Sequence, residues 1–207
     1  MKAPLLCFDC EQRLCKNGES WVLAHCLKKD RTFPLAASIL AASSPDLSSD
    51  ETTTKIYYAS GIPAINIDAI SYFAASMFWR GSIHPWNEDG TCPVRLGPFE
   101  EHFRRYLMGL QPFPKDCALW VAVRQRREID RLTYAPFGER QGNMHVYKFP
   151  MPGLAFMTVV SKNIPANFRD RCFVQGRGNP IIVTEVVETL VIADAVKMRQ
   201  RAYQVSA

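Results

Sequence analysis

The sequence predicts an α+β fold in which helices pack on one face of a small antiparallel sheet, with a short cysteine-bearing segment in front. Three observations predict it. Residues 67–83, IDAISYFAASMFWRGSI, place Ile70, Phe73, Ala74, Met77 and Phe78 at helical spacing, while Ala69, Tyr72, Ala75 and Trp79 make the other side nearly as apolar. Such a helix must be covered almost all round. Later runs, CALWVAVR, MHVYKF and LAFMTVVS, are rich in β-branched and aromatic residues, and the last two are joined by the turn sequence PMPG. The front carries a CxxC pair, Cys7 and Cys10.

A chain of 207 residues with 47% hydrophobic residues can bury one sizeable core. Its apolar runs fall far short of the roughly 18–20 residues that span a bilayer, and the start has no basic-then-apolar leader pattern. No membrane partner is therefore expected. Seven cysteines is an odd number that suits a reduced compartment better than a disulfide scaffold, and the expected location is cytoplasmic. The net charge of +5 and pI near 8.9 permit an anionic partner. The basic residues are dispersed, however, in small groups at Lys28, Lys29 and Arg31, at Arg104 and Arg105, at Arg124, Arg126 and Arg127, and at Arg169 and Arg171. These read first as solvated surface, so nucleic-acid binding, where present, would be weak and electrostatic.

Leu5 to Gly18, LLCFDCEQRLCKNG, reads as a CxxC turn running into a short helix. Cysteines separated by two residues in a tight turn can aim both thiolates at one tetrahedral ion, which is half of a structural zinc site. The nearby candidates for completing it are Cys15, His25 and Cys26, giving the metal set Cys7, Cys10, Cys15, His25 and Cys26. This spacing is not a standard one, and buried or incidental thiols account for the residues equally well. A redox pair is a third, less favoured reading, since no strand precedes the CxxC as it does in a thioredoxin-like fold.

In order along the chain, Trp21–Leu27 is a short apolar helix or strand, and Phe33–Leu40 a helix. Ala41–Thr54, rich in Ser, Thr and Asp, reads as an exposed loop. The boundary falls here, between a CxxC-containing front module, residues 1–40, and a main domain, residues 55–207. KIYYAS is a short strand. Asp68 is placed to cap the helix of residues 67–83 and Gly81 to end it in the left-handed conformation. HPWNEDGTCPV is a turn-rich loop, and LGPFEEHFRRYLMG a second helix with Pro98 in its first turn and charge pairs Glu100 with Arg104 and Glu101 with Arg105. Between the first two β-rich runs lies a linker containing FGERQGN; Gly138, Arg140, Gly142 and Asn143 there offer an anion site through backbone amides, against the plainer reading of a connecting loop. FRDRCFV suits an edge strand. Thr184–Tyr203 is a helix, capped by Thr184 and basic at its end.

LLCFDCEQRLCKNGE resembles the LLCxxCEQxxSKxE segment of a group of prokaryotic proteins whose N-terminal part is related to HNH endonucleases, and FWRGSI and LGPFEEHFRRYL resemble their downstream helices. The resemblance implies that Cys7 and Cys10 are the second CxxC of a zinc knuckle. The first CxxC and the catalytic His that precede it in HNH folds have no counterpart in this sequence. Glu11 stands where such nucleases commonly carry the last His or Asn, and Cys15 where relatives have Ser. The front segment is thus expected to be a degenerate zinc-knuckle-like remnant, with Zn as the implied cofactor.

Phosphodiester hydrolysis by such a fold needs a general base beside a divalent ion. No catalytic residue is identified, because His84, His102 and His145 lie in separate segments. The expected function is a non-catalytic binding protein for nucleic acid or a protein partner, derived from an HNH-like ancestor. The alternative is a metal-dependent nuclease that completes its site with distant or partner-chain residues.

Overall fold

A computed structural model of the chain describes residues 6–42, 44–49, 54–87, 89–124, 133–176 and 178–183. The predicted helix at Thr184–Tyr203 lies outside the described residues.

The front forms one helical rod. α1 (Phe8–Leu14) passes through a π-helical turn, Cys15–Glu19, into α2 (Ser20–His25). The rod lies on the long helix α4 (Ile67–Ile83), and the close approach occurs at Gly18, where a Cβ would stand 2.8 Å from both the Ala69 carbonyl oxygen and the Phe73 amide nitrogen. Glu19 faces Arg80 of α4 across 3.6 Å. Leu14 and Val22 share one buried cluster with α4, with the sheet, and with Leu35 and Ile39 of α3 (Pro34–Ala42).

α4 occupies the predicted residues and is buried without a break from Ala69 to Ser76, and again at Phe78 and Gly81. Its ends differ from expectation. The cap is Asn66, whose backbone is extended and whose side-chain oxygen accepts from the Ala69 amide at 2.9 Å, so Asp68 already lies inside the first turn. Gly81 does not end the helix; it is helical and buried because Val94 and Pro136 leave no room for a side chain, with Val94 at 2.9 Å from a built Cβ. Among the described residues, no helix is long and apolar enough to cross a membrane.

The sheet is larger than predicted and mixed. Its strands are β1 (Leu47–Ser49), β2 (Thr54–Tyr58), β3 (Cys117–Val123), β4 (Phe137–Gln141), β5 (Met144–Met151), β6 (Leu154–Val160) and β7 (Pro180–Val183), in the spatial order β1-β2-β7-β3-β6-β5-β4. All neighbours are antiparallel except β3 and β7, which run parallel. Phe149 of β5 is paired with Phe156 of β6, which puts both rings on one face, and Phe73 of α4 meets them at ring-centroid distances of 6.1 and 5.6 Å. That aromatic junction joins helix to sheet. α5 (Glu100–Leu107), entered through a 3-10 turn at Gly97–Phe99, packs on α4, where the Tyr72 hydroxyl donates to the Leu107 carbonyl at 2.6 Å.

Four further expectations are corrected. The loop expected at Ala41–Thr54 contains β1, which pairs with β2 through Leu47, Ser48 and Ser49. On α5 the ion pair is Glu101 with Arg104, three residues apart and bidentate at 2.6 and 2.7 Å, because the planar guanidinium reaches both carboxylate oxygens from that spacing. FGERQGN is not a linker but β4 and its turn. FRDRCFV is no strand: Ala166–Arg169 is a short helix, α6, and Cys172 and Phe173 fold inward onto β3, where the Phe173 amide donates to the Leu119 carbonyl at 2.6 Å. The rest of that β3 edge is taken by β7, through Val121, Ala122 and Val123.

Candidate functional site

The structure places the five expected metal ligands along the rod. Cys7 takes the N-cap position of α1 with an extended backbone, φ −71° and ψ 161°, and Cys10 lies in the first turn. The two thiols interact. The Cys7 sulfur does not make a full capping bond, but the backbone amide and thiol of Cys10, with the amide of Asp9, draw its pKa below the ordinary value. Its partner moves the other way: Cys10 is raised, first by its hydrogen bond to Cys7 and then by burial.

The other candidates have separate partners. Cys15 is exposed, with its sulfur 3.1 Å from the Ser20 hydroxyl. His25 bonds through Nδ1 to the Trp21 carbonyl oxygen at 2.7 Å and stacks on the Trp21 ring at 4.0 Å. Cys26 is buried, its sulfur donating to the Leu23 carbonyl at 3.4 Å, and burial raises its pKa. A helix rising about 1.5 Å per residue carries His25 roughly 20 Å along the rod from Cys10. Among the described residues, no group of three or more His, Cys, Asp or Glu is placed to hold a metal ion. The implied zinc therefore finds two neighbouring ligands here, half of what a structural site requires. A continuous rod spreads out ligands that a knuckle would gather.

A second constellation lies at the far edge of the sheet. Gln141 is paired with Met144, so Gly142 and Asn143 form a two-residue hairpin loop, and Gly142 has the positive φ, 60°, that such a loop demands of its first residue. The register that follows sets Arg140 opposite His145 and Gly138 opposite Tyr147. Directly opposed residues share a face. Together with Asn87, Thr91, Cys92, Pro93 and Arg95 they line an open groove of about 470 Å³.

Tyr147 holds this groove in shape. Its hydroxyl donates to the Arg95 carbonyl at 2.6 Å and accepts from the Arg95 amide at 3.1 Å, pinning the loop that carries Arg95 to β5. The hydroxyl's single proton is spent on that carbonyl, so the third contact, to His145 Nδ1 at 3.2 Å, is one in which the imidazole donates. Nδ1 of His145 therefore carries a ring proton. Burial pushes the phenol pKa up, with Arg95 opposing, and Tyr147 stays a neutral donor. Arg140 is oriented by the bond from its Nε to the Gly142 carbonyl at 2.8 Å. On the loop side, Thr91 donates through amide and hydroxyl to Asp89 at 2.9 and 2.7 Å, which lowers the Asp89 pKa, and Asn87 donates to the Thr91 hydroxyl at 2.9 Å.

None of the nine lining residues is acidic. The groove combines two guanidinium groups, an imidazole and hydroxyl and amide donors. Such a set recognises phosphate or carboxylate, with arginine able to bind two oxygens at once. Sequence reasoning looked for an anion site in backbone amides near Arg140 and missed the side chains across the hairpin. The available signal was His145 and Tyr147 two apart on a strand, with Arg140 brought opposite by the Gly-Asn turn. The remaining histidines stand elsewhere: His102 Nδ1 is 3.6 Å from Asp116, and His84 meets the edge of Trp86.

In comparisons with protein-family models, curated proteins and solved structures, nothing matches this chain.

Proposed function

We propose that this protein is a non-catalytic binding protein for nucleic acid, and that its groove at the β4–β5 hairpin takes backbone phosphates. The supporting observation is the convergence of Arg95, Arg140, His145 and Tyr147 on an open groove whose lining carries no acidic side chain. An open groove suits a polymer passing through, and contacts to phosphate carry no sequence information. Binding is therefore weak, tolerant of base sequence and steeply dependent on salt.

Fluorescence anisotropy of a labelled single strand, repeated across a salt series, tests this. The Arg95→Ala, Arg140→Ala double variant should bind at least about tenfold more weakly in low salt, and its salt slope should fall by about one for each phosphate contact removed. Equal binding by the double variant and the wild type would place the site elsewhere. Base-selective binding that survives physiological salt would reject the phosphate reading itself.

A further inference from the structure

We propose that Cys7 and Cys10 are a reactive dithiol that exchanges with disulfides, closing reversibly into an intramolecular disulfide. The inference starts from geometry. Residues three apart on a helical turn have Cα atoms about 5 Å apart, inside the roughly 4.4–6.8 Å span over which a disulfide closes without backbone movement. Cys7 is exposed at the end of the rod, while Cys10, one turn in, is partly covered. This is the asymmetry an exchange reaction uses, with an outer sulfur open to attack an incoming disulfide and an inner one held beside it. Phe8, between them, is 75% exposed. An apolar ring presented beside a thiol pair gives a disulfide-bearing peptide something to rest on. The other described thiols lack this arrangement: Cys15 pairs with a serine hydroxyl, Cys92 lines the groove at the β4–β5 hairpin as its one cysteine, and Cys26, Cys117 and Cys172 are buried.

The reaction balances with a disulfide, R–S–S–R, as oxidant. The Cys7 thiolate, its proton released to water, attacks one sulfur; a Cys7–S–S–R bond forms, the S–S bond of the partner disulfide breaks, and the other sulfur leaves as RS⁻ and takes up a proton. The Cys10 thiolate then attacks the Cys7 sulfur, the intramolecular disulfide forms, and the second RS⁻ leaves. Two electrons and two protons pass from the protein to the partner disulfide, which becomes two thiols.

The test equilibrates the full chain in glutathione buffers of graded ratio, quenches with an alkylating agent and measures tryptic peptides by mass. The peptide of residues 3–13 carries Cys7 and Cys10 and no other cysteine. It should be two hydrogens lighter and resistant to alkylation in oxidising buffer, and revert fully in reducing buffer. Cys10→Ser should instead accumulate glutathione on Cys7, at least about tenfold faster than on Cys15, the exposed thiol without a neighbouring cysteine. Two alkylatable thiols at every ratio, or no preference for Cys7 over Cys15, would overturn the proposal. So would one equivalent of zinc in protein purified without chelator that is lost in Cys7→Ser, since a held metal would occupy both sulfurs.

Discussion

Replacing Gly18 by alanine would set a methyl group 2.8 Å from the Ala69 carbonyl oxygen and the Phe73 amide nitrogen, and 3.1 Å from the Phe73 Cα. All three are backbone atoms of α4, so no rotamer change relieves the overlap and the rod itself must move off the helix. Overfilling a packed contact costs about 1–3 kcal/mol. Against that, alanine in place of glycine inside a helix contributes about 0.8–1.0 kcal/mol of stability. Three backbone overlaps put the steric cost in the upper part of its range, and a net loss of up to about 2 kcal/mol is expected in urea denaturation followed by circular dichroism. Gly61→Ala is the control, since nothing lies within 4 Å of its added Cβ, and it should change stability by less than about 0.5 kcal/mol. A stabilised Gly18→Ala protein would show that the rod does not rest on α4 through this glycine, and the account of the front packing would fail with it.

Other consequences follow from the core and the groove. Phe73→Ala removes a ring that is 3% exposed and in contact with Phe149 and Phe156, so it should cost about 3–5 kcal/mol in the same denaturation assay; a loss under about 1 kcal/mol would deny α4 its central role. Tyr147→Phe leaves the Arg95 amide and carbonyl without the hydroxyl that joins them to β5, and should cost about 1–3 kcal/mol while weakening oligonucleotide binding; unchanged affinity would mean that the Arg95 loop holds its place without it. Burial raises the pKa values of Cys117, Cys26, Tyr106 and Tyr147. The unfolded chain ionises these groups before the folded one does, so stability is full below the ordinary cysteine value of 9.0 and declines as pH rises through it and then through the tyrosine value of 10.0. Thermal melts at alkaline pH check this, and a melting temperature unchanged past pH 10.0 would contradict it.

How far the sequence could be read varied with how local its physics was. α4 was legible to the residue because its apolar side chains recur around the whole helix, which leaves no competing assignment. Its cap was not: Asn66 and Asp68 are both good capping residues, and the choice between them is made by where the chain turns extended, at Asn66. β3, β5 and β6 carry long β-branched and aromatic runs and were visible. β4 was hidden because FGERQ is a mostly polar edge strand defined by its partner, and β7 because PIIV is only four residues long and gains its place between β2 and β3 from tertiary pairing. The α+β class held, while the mixed character of the sheet rests on that one parallel pair. The groove was the least legible feature. Its residues come from the 87–95 loop and two strands beyond it, and cross-strand register, which no local pattern encodes, brings Arg140 to His145. At the front, the CxxC spacing is local and visible in the sequence, but the continuous helix that separates Cys10 from His25 depends on the π turn seating Gly18 against α4.

The most direct test of the groove is a titration of the isotope-labelled protein with a short single-stranded oligonucleotide, followed by NMR at the arginine side-chain Nε–H groups and the histidine rings. Binding as proposed shifts Arg95 and Arg140 Nε and the His145 ring together, along one saturable curve that added salt reverses. Shifts confined to other basic positions, such as Arg31, Arg104 or Arg169, with Arg95, Arg140 and His145 unmoved, would contradict it.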